Sequence, residues 1–227
     1  MLSVELHAHS SLSYDGRDPV DELLREAATI GLDALAITDH DEIEASLEAA
    51  ERAPGYGLIG IPGMEVTSEA GHVLALGVRD LISADLPFDE TIDCIHEAGG
   101  VAVVPHPFQK TRSGVASNLS PASLARADAI EVYNSRLLTG RGNRRAKAFA
   151  RKHDLPVTAG SDAHVAEMIG RAVTEIDATE PTVEAMLEAI REGRTAIGGR
   201  RTPWRVSFMQ AAGGAKRRVR NRLWNLF

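Results

Sequence analysis

The sequence predicts an α/β fold built from parallel strands, and three features carry that expectation. Short apolar runs of strand length alternate with segments whose apolar residues recur at three- and four-residue spacing. A strand that returns in parallel after a helix needs a right-handed crossover, so the alternation implies parallel pairing. Residues able to carry chemistry fall where predicted strands give way to loops, which in a barrel of parallel strands is the C-terminal face. At 227 residues the chain is long enough for one large α/β barrel or two small domains.

The first strand runs into Glu5-Leu6-His7-Ala8-His9-Ser10, whose two histidines stand two apart and so share one face of extended chain. A polar loop over 10–18 holds Asp15-Gly16. Pro19 opens a helix with Asp18 as its N-cap and Gly31 as its stop; Val20, Leu23, Leu24, Ala27 and Ala28 form its apolar stripe. Strand 32–38 ends in Thr38-Asp39-His40-Asp41, helix 42–52 follows, and strand 57–62 runs into Gly63-Met64-Glu65. Strand 72–78 begins with His72, the one candidate that opens a strand; a turn within 65–78 would return it to the same rim. Helix 88–98 stops at Gly99-Gly100, strand 101–104 leads to Pro105-His106-Pro107, and a polar loop covers 108–120. A short helix at 121–127, strand 129–133, helix 141–153 and strand 156–160 follow, the last ending in Ser161-Asp162-Ala163-His164. Residues 171–176 suit a strand, and 182–192 a helix stopped by Gly193.

Hydrophobic residues make up 44% of the chain and charged residues 25%, ordinary values for a soluble domain. No apolar run nears the ~20 residues of a membrane span, so stable membrane insertion is not expected. No signal-peptide pattern stands at the N-terminus, and Cys94, the single cysteine, lies in a helical segment and reads as a buried, inert thiol. A cytoplasmic protein is expected; the oligomeric state is not legible. The net charge of −7 is uneven: residues 197–227 carry eight Arg and Lys and no acid, leaving 17 basic against 32 acidic residues before them. An acidic body argues against broad nucleic-acid binding and suits bound cations.

Taken singly, each candidate has a plain structural use: Asp15-Gly16 forms turns, and Asp39 or Asp41 can cap a helix. Together they form a pattern. Five of the eight histidines sit at or just past predicted strand ends, with carboxylates in matching positions and no thiolates. That donor set suits zinc, manganese or iron. Nine ligands exceed what one tetrahedral ion takes and point to two or three metals. His96 and His153 lie within helical segments and are expected to face solvent.

The pieces His7-Ala8-His9, Asp15-Gly16, Thr38-Asp39-His40-Asp41, Gly63-Met64-Glu65, Gly71-His72, Pro105-His106-Pro107 and Ser161-Asp162-Ala163-His164 occur in order over residues 5–164. In that order they resemble the PHP (polymerase and histidinol phosphatase) phosphoesterase superfamily. The resemblance implies a distorted (β/α)7 TIM-like barrel over 1–197 with a trinuclear metal site at the C-terminal strand ends. Carried over by position, a first metal falls to His7, His9, Glu65 and Asp162. A second shares Glu65 as a bridge and adds His72 and His106; a third takes Asp15, His40 and His164. Many members have His where this chain has Asp15, and the Asp form is typical of the branch acting on nucleotide phosphates. Members of that branch often carry a long insertion between the positions of His72 and His106. Here 33 residues intervene, so an uncapped, open site is expected, with room for an oligonucleotide end.

Ions about 3.5–4 Å apart hold a phosphoryl group by its oxygens and lower the pKa of a bridging water toward ~7, so that hydroxide attacks phosphorus in line with the leaving alcohol. The candidates for the leaving-group acid are Asp15, His164 and a metal-bound water. Phosphate contacts are expected from Arg136 and Asn134, after strand 129–133, and from Arg17; Lys110 and Arg112 are further basic candidates. The expectation is a metal-dependent phosphoesterase acting on a phosphomonoester of a nucleotide or nucleic-acid end. Its rivals are a histidinol-phosphate-like phosphatase of small metabolites and a non-catalytic module that binds metal or nucleic acid. Nine filled ligand positions weigh against the last. Residues 198–227 read as a basic extension, a strand or loop and then an amphipathic helix with Val219, Leu223 and Leu226 on one face, packing Trp224 and Phe227 on the barrel; the alternatives for this tail are a membrane-surface anchor and a basic guide for nucleic acid.

Overall fold

A computed structural model describes residues 1–109, 114–137 and 139–199. Lys110, Arg112 and the expected terminal helix lie outside the described residues, as does all but the start of the 198–227 extension.

Among the described residues, ten strands form two mixed sheets of five. The first has the order β10 (Thr195–Gly199), β9 (Ala172–Ile176), β1 (Leu2–Glu5), β2 (Ala34–Ala36), β3 (Ile59–Ile61); the second runs β4 (Gly63–Ser68), β5 (Gly71–Leu76), β6 (Val101–Val104), β7 (Ala129–Asn134), β8 (Val157–Gly160). The helices are α1 (Val20–Thr29), α2 (Glu44–Arg52), α3 (Phe88–Glu97), α4 (Pro121–Leu124), α5 (Arg141–His153) and α6 (Val183–Arg191).

The α/β class holds, but the (β/α)7 barrel does not. Neither sheet closes, and four of the eight neighbouring pairs are antiparallel: β10 with β9, β9 with β1, β4 with β5, and β5 with β6. The hairpin shows why. Only Glu69 and Ala70 separate β4 from β5, and two residues permit an antiparallel return, whereas a parallel crossover needs a dozen or more. Pro62, which has no N–H for a ladder, stands between β3 and β4 at the point where the chain leaves one sheet for the other. Two isolated bridges, Ala8 with Ala163 and His40 with Glu65, stitch strand extensions together beyond the ladders.

Three apolar clusters fill the molecule. The largest packs α3, α4 and α5 against the second sheet through Phe88, Ile92, Ile95, Leu124, Ala146 and Ala150. A second lies between the sheets, where Val4, Ile61, Leu76, Val101 and Ala129 meet Met186, Leu187 and Ile190 of α6. That helix covers one end of the interior, and Arg191 ties it there by donating to the carbonyls of Gly99 and Gly100, 3.1 Å each. The third joins α1 and α2 to the first sheet, with Leu23, Leu24 and Leu35 fully buried, about 1.5–3 kcal/mol of burial apiece.

Asp18 does not cap α1. Pro19 takes the N-cap position, and the Asp18 carboxylate accepts instead from the Ala166 amide (2.6 Å), fastening the first loop to the chain after β8. His96 is exposed and pairs with Asp128 at 2.9 Å, whereas the His153 ring is half-buried, 4.3 Å from Phe149, because α5 presents that side to the protein. Cys94 is a free, half-buried thiol beside the largest cluster. Among the described residues no helix is long and apolar enough to cross a membrane.

Candidate metal centre

The end of the interior opposite α6 is built from strand extensions. Beyond β1 the chain stays extended, so Leu6 and Ala8 enter the apolar clusters while His7 and His9 turn to the other side. The register is set by the His9 amide donating to Ala163 O (2.7 Å), the Ala163 amide to His7 O (3.2 Å) and the Thr38 amide to Ala8 O (2.7 Å). Glu65 exchanges backbone bonds with Asp39 and Asp41, 3.0 Å each, which places it beside His40. In the β4–β5 hairpin Thr67 faces His72, so the turn returns His72 to the rim that holds Glu65. His106 and Asp162 follow β6 and β8 with φ of 32° and 52°. Left-handed backbone costs a non-glycine residue roughly 1–3 kcal/mol, and such strain collects where a side chain must be aimed.

Glu65 is the hub. It is 1% exposed, and five imidazoles surround its carboxylate: His72 at 2.8 Å, His7 at 3.2 Å, His9 at 3.3 Å, and His40 and His106 at 3.4 Å. Asp162 lies 3.8 Å from His9 and 3.3 Å from His164; Asp15 lies 2.7 Å from His164 and 3.8 Å from His40. All nine residues singled out as ligands therefore meet in one cluster. Ligand atoms within 4.8 Å of one another fall into four overlapping groups: His7, His9 and Glu65; His40, Glu65 and His72; His7, His106 and Asp162; His9, His40 and His164. The grouping runs across the three-way division that the family resemblance implies.

Crowding sets the protonation. Burial alone would raise Glu65, but His40, His72 and His7 outweigh it and hold the carboxyl well below its usual range. Burial likewise opposes ionisation of Asp15, yet His164 and His40 keep it low. His164 is pushed down to about 3 by burial, then by Arg136 and His9, and so is a neutral imidazole at neutral pH. Burial works against charge on His7, and Glu65 and Glu131 reverse the balance and raise it well above the ordinary histidine value.

Two buried carboxylates escape a reading of the sequence. Glu131 accepts from His106 N and from Asn134 Nδ2, both at 2.9 Å, and its other oxygen meets His7 Nδ1 at 3.0 Å. A bulge in β7 between Glu131 and Tyr133 turns Glu131 and Asn134, three apart, to the same side. A β-carbon on Gly160 would come within 2.4 Å of Glu131 and 2.5 Å of His7, so only glycine admits this contact. Glu5 accepts from the amides of His7 (3.1 Å), Ser161 (2.9 Å) and Gly170 (3.0 Å). The signal for both was an acid inside an apolar strand, Val4-Glu5-Leu6 and Ile130-Glu131-Val132.

The three residues expected to contact phosphate are placed differently from one another. Arg136 is nearly buried, with Nη1 2.9 Å from Asp162 Oδ1 and 3.1 Å from His164 Nδ1. Asn134 is fully buried, its amide turned inward to Glu131 and, at 3.3 Å, to Asp162. Arg17 is exposed on the loop that carries Asp15.

Whether this donor set fits metal ions is answered by its unpaired atoms. Both ring nitrogens of His9, His40 Nδ1, His72 Nδ1, His106 Nδ1 and Glu65 Oε1 are buried without a hydrogen bond, although His72 Nδ1 and Glu65 Oε1 approach to 2.8 Å. Buried polar atoms in such number cost about 1–3 kcal/mol each unless something pairs them, and lone pairs that face one another are paired by cations. The residues fit divalent metal.

A family model described as PHP-associated matches residues 140–195. An uncharacterized protein of Methanocaldococcus jannaschii is 28% identical over 144 residues, 59% of this chain and 82% of the relative. An error-prone DNA polymerase of Symbiobacterium thermophilum is 40% identical over 77 residues, 34% of this chain and 7% of the polymerase. Among solved structures, a two-domain protein of Bacteroides vulgatus containing a predicted PHP-like metal-dependent phosphoesterase superposes with a TM-score of 0.75 at 23% identity, over 88% of this chain and 65% of that one.

Proposed function

We propose that this chain, which is similar to the PHP (polymerase and histidinol phosphatase) superfamily, is a metal-dependent phosphoesterase that hydrolyses a phosphomonoester of a nucleotide or nucleic-acid end. The observation that carries the reading is the Glu65 centre, a buried carboxylate ringed by five imidazoles whose lone pairs converge. Two or three divalent ions (manganese, zinc or iron) would be held by His7, His9, Glu65 and Asp162, by Glu65 with His72 and His106, and by Asp15, His40 and His164. When bound, they supply Lewis-acid charge for the phosphoryl oxygens and a nucleophile at neutral pH.

The chain's own groups do the rest. Arg136, already at Asp162 and His164, offers a guanidinium to a phosphate oxygen that reaches the cluster. The Asp15 side chain is 18% exposed against 3% for His164 and reaches the open side of the cluster, where, held as a carboxylate, it can accept a proton but has none to give the leaving oxygen. Tyr14 stacks on His40 at 4.7 Å with half its surface exposed, a face on which a base can lie. One loop and α3 connect β5 to β6, so no inserted cap stands between them, and the likeness to a polymerase segment favours a nucleic-acid or nucleotide phosphate.

The test is phosphate release by metal-reconstituted protein from nucleotides, 3′,5′-bisphosphates, 5′-phosphorylated oligonucleotides and histidinol phosphate. Release should require added manganese or zinc and vanish in Asp162→Ala and His7→Ala. Release from histidinol phosphate alone would replace the nucleotide reading, and no release from any ester by metal-loaded protein would end the phosphoesterase reading.

A further inference from the structure

α5 carries Arg141, Arg144, Arg145, Lys147, Arg151 and Lys152 in 13 residues with no Asp or Glu, in a chain of net charge −7. At 100° per residue the six fall on one arc, and all six are exposed, with only Ala148 among them. Ala146 and Ala150 on the opposite side are buried. Among the described residues, Arg141, Arg144, Lys147, Arg151 and Lys152 have no carboxylate within ion-pair distance, and Arg145 lies over the Phe108 ring at 4.5 Å. Arg144, Lys147 and Arg151 line a shallow groove of about 490 Å³ in which Asp154 is the one acid. Residues 200–227 hold eight further cations and no acid, so they supply nothing that would neutralise the arc.

This charge does not serve the helix. Like charges three and four apart disfavour it, and cations in the first turn oppose the backbone dipole. α1, α2, α3 and α6 each begin with acidic residues, and α5 does not. Arg151 and Lys152 suit the dipole at the last turn; Arg141 and Arg144 at the first do not.

The first turn of the helix is tied to the wall of the candidate metal centre. Asn143, in the first turn, accepts from Asn134 N at 3.2 Å and donates to Asn134 O at 3.1 Å, and the Asn134 amide reaches Asp162 at 3.3 Å. Phe108, two residues after His106, packs edge-on against Phe149 of α5 at 6.0 Å.

We infer that the exposed arc of α5 is a track for the phosphate backbone of a single-stranded nucleic acid whose end lies at the metal centre. The inference rests on the phosphoesterase reading above and adds the surface that selects a polymer over a small ester. One helix width of cations, about 20 Å long, follows one backbone rather than two. An acidic membrane is the poorer partner, because the one apolar residue of the arc, Ala148, is too small to anchor in it.

The test uses the full chain and a fluorescent 5′-phosphorylated 12-nucleotide strand, with binding followed by anisotropy across a salt series. In the triple variant Arg144→Glu, Lys147→Glu, Arg151→Glu, affinity should fall at least tenfold. The slope of log K against log salt should become shallower by about 2, the loss of three phosphate contacts at ~0.7 each. Mononucleotide hydrolysis should stay unchanged. Equal affinity and slope in both proteins would overturn the track. So would a wild type that hydrolyses mononucleotides but binds the strand no more tightly than one nucleotide, and the phosphoesterase reading would then survive alone. Strand binding that depends on the arc, with no ester cleaved, would keep the track and end the phosphoesterase reading. A loss confined to an acidic peptide used as competitor would assign the arc to a protein partner and overturn it.

Discussion

Glu131 shows how one carboxylate can set the chemistry of a neighbour it does not resemble. With Oε2 occupied by two donors, Oε1 is left to accept from His7 Nδ1–H, so that loss of the other imidazolium proton to an arriving cation would free the lone pair of Nε2, the nitrogen that faces Glu65 at 3.2 Å. In Glu131→Gln the oxygen would stay with His106 N and Asn134, and the new NH2 would face His7 Nδ1. The imidazole would then carry its proton on Nε2, where a ligand needs its lone pair. Metal affinity, measured by competition with a chelating dye, should weaken about 10- to 100-fold. Unfolding of the chelated protein should change little by comparison. Unaltered affinity would show that Glu131 only packs.

At the scale of an element, β1 is held by its ladders to β2 and β9 and, at its end, by Glu5. One buried carboxylate gathers amides from the β1 extension, from the chain after β8 and from the turn at Gly170, which keeps His7 and Asp162 side by side. Burial, the largest influence, raises the group from 4.5 to about 7 against the hydrogen bonds from Ser161, His7 and Gly170. The folded state therefore keeps a proton that the unfolded chain releases above 4.5. Its contribution is complete below that value and is lost as pH rises through about 7. The full loss is about 3 kcal/mol. Urea unfolding of metal-free protein at pH 4.5 and pH 8 should show the gap between wild type and Glu5→Gln changing by roughly that amount, with wild type the one that weakens toward pH 8. A gap that does not move with pH would remove Glu5 as its source.

Taken whole, the molecule is two sheets with an apolar interior, covered at one end by α6 and crowded at the other with imidazoles and carboxylates. The crowded end is the weak one, since its buried atoms lack partners and two of its residues sit in left-handed backbone. Cations that bind only the folded state should stabilise it by about 4 kcal/mol at a thousandfold excess over Kd. Calorimetry before and after chelation should therefore show Tm falling by about 8–16 °C, restored by manganese or zinc. A Tm indifferent to chelator and to added metal would mean that the cluster holds no cation.

Much of this was readable from the chain alone because it is local. Helical spacing of Val20, Leu23, Leu24 and Ala27 marked α1, the short apolar run at 101–104 marked β6, and His7, His9, His40, His106 and His164 announced themselves by standing where predicted strands stop. Even the return of His72 followed from the need for a turn. Tertiary structure decided what depends on partners far along the chain. Whether a strand pairs parallel or antiparallel, and whether a sheet closes, is settled by its neighbours, so the β4–β5 hairpin and the reversed β9 and β10 replaced a barrel with two open sheets. Glu5 and Glu131 looked like ordinary strand residues until the fold removed water from around them and gave them backbone amides, the Asn134 amide and one imidazole as partners. A carboxylate's role is fixed by what surrounds it, and in this chain those surroundings come from segments as far apart as residues 5 and 170.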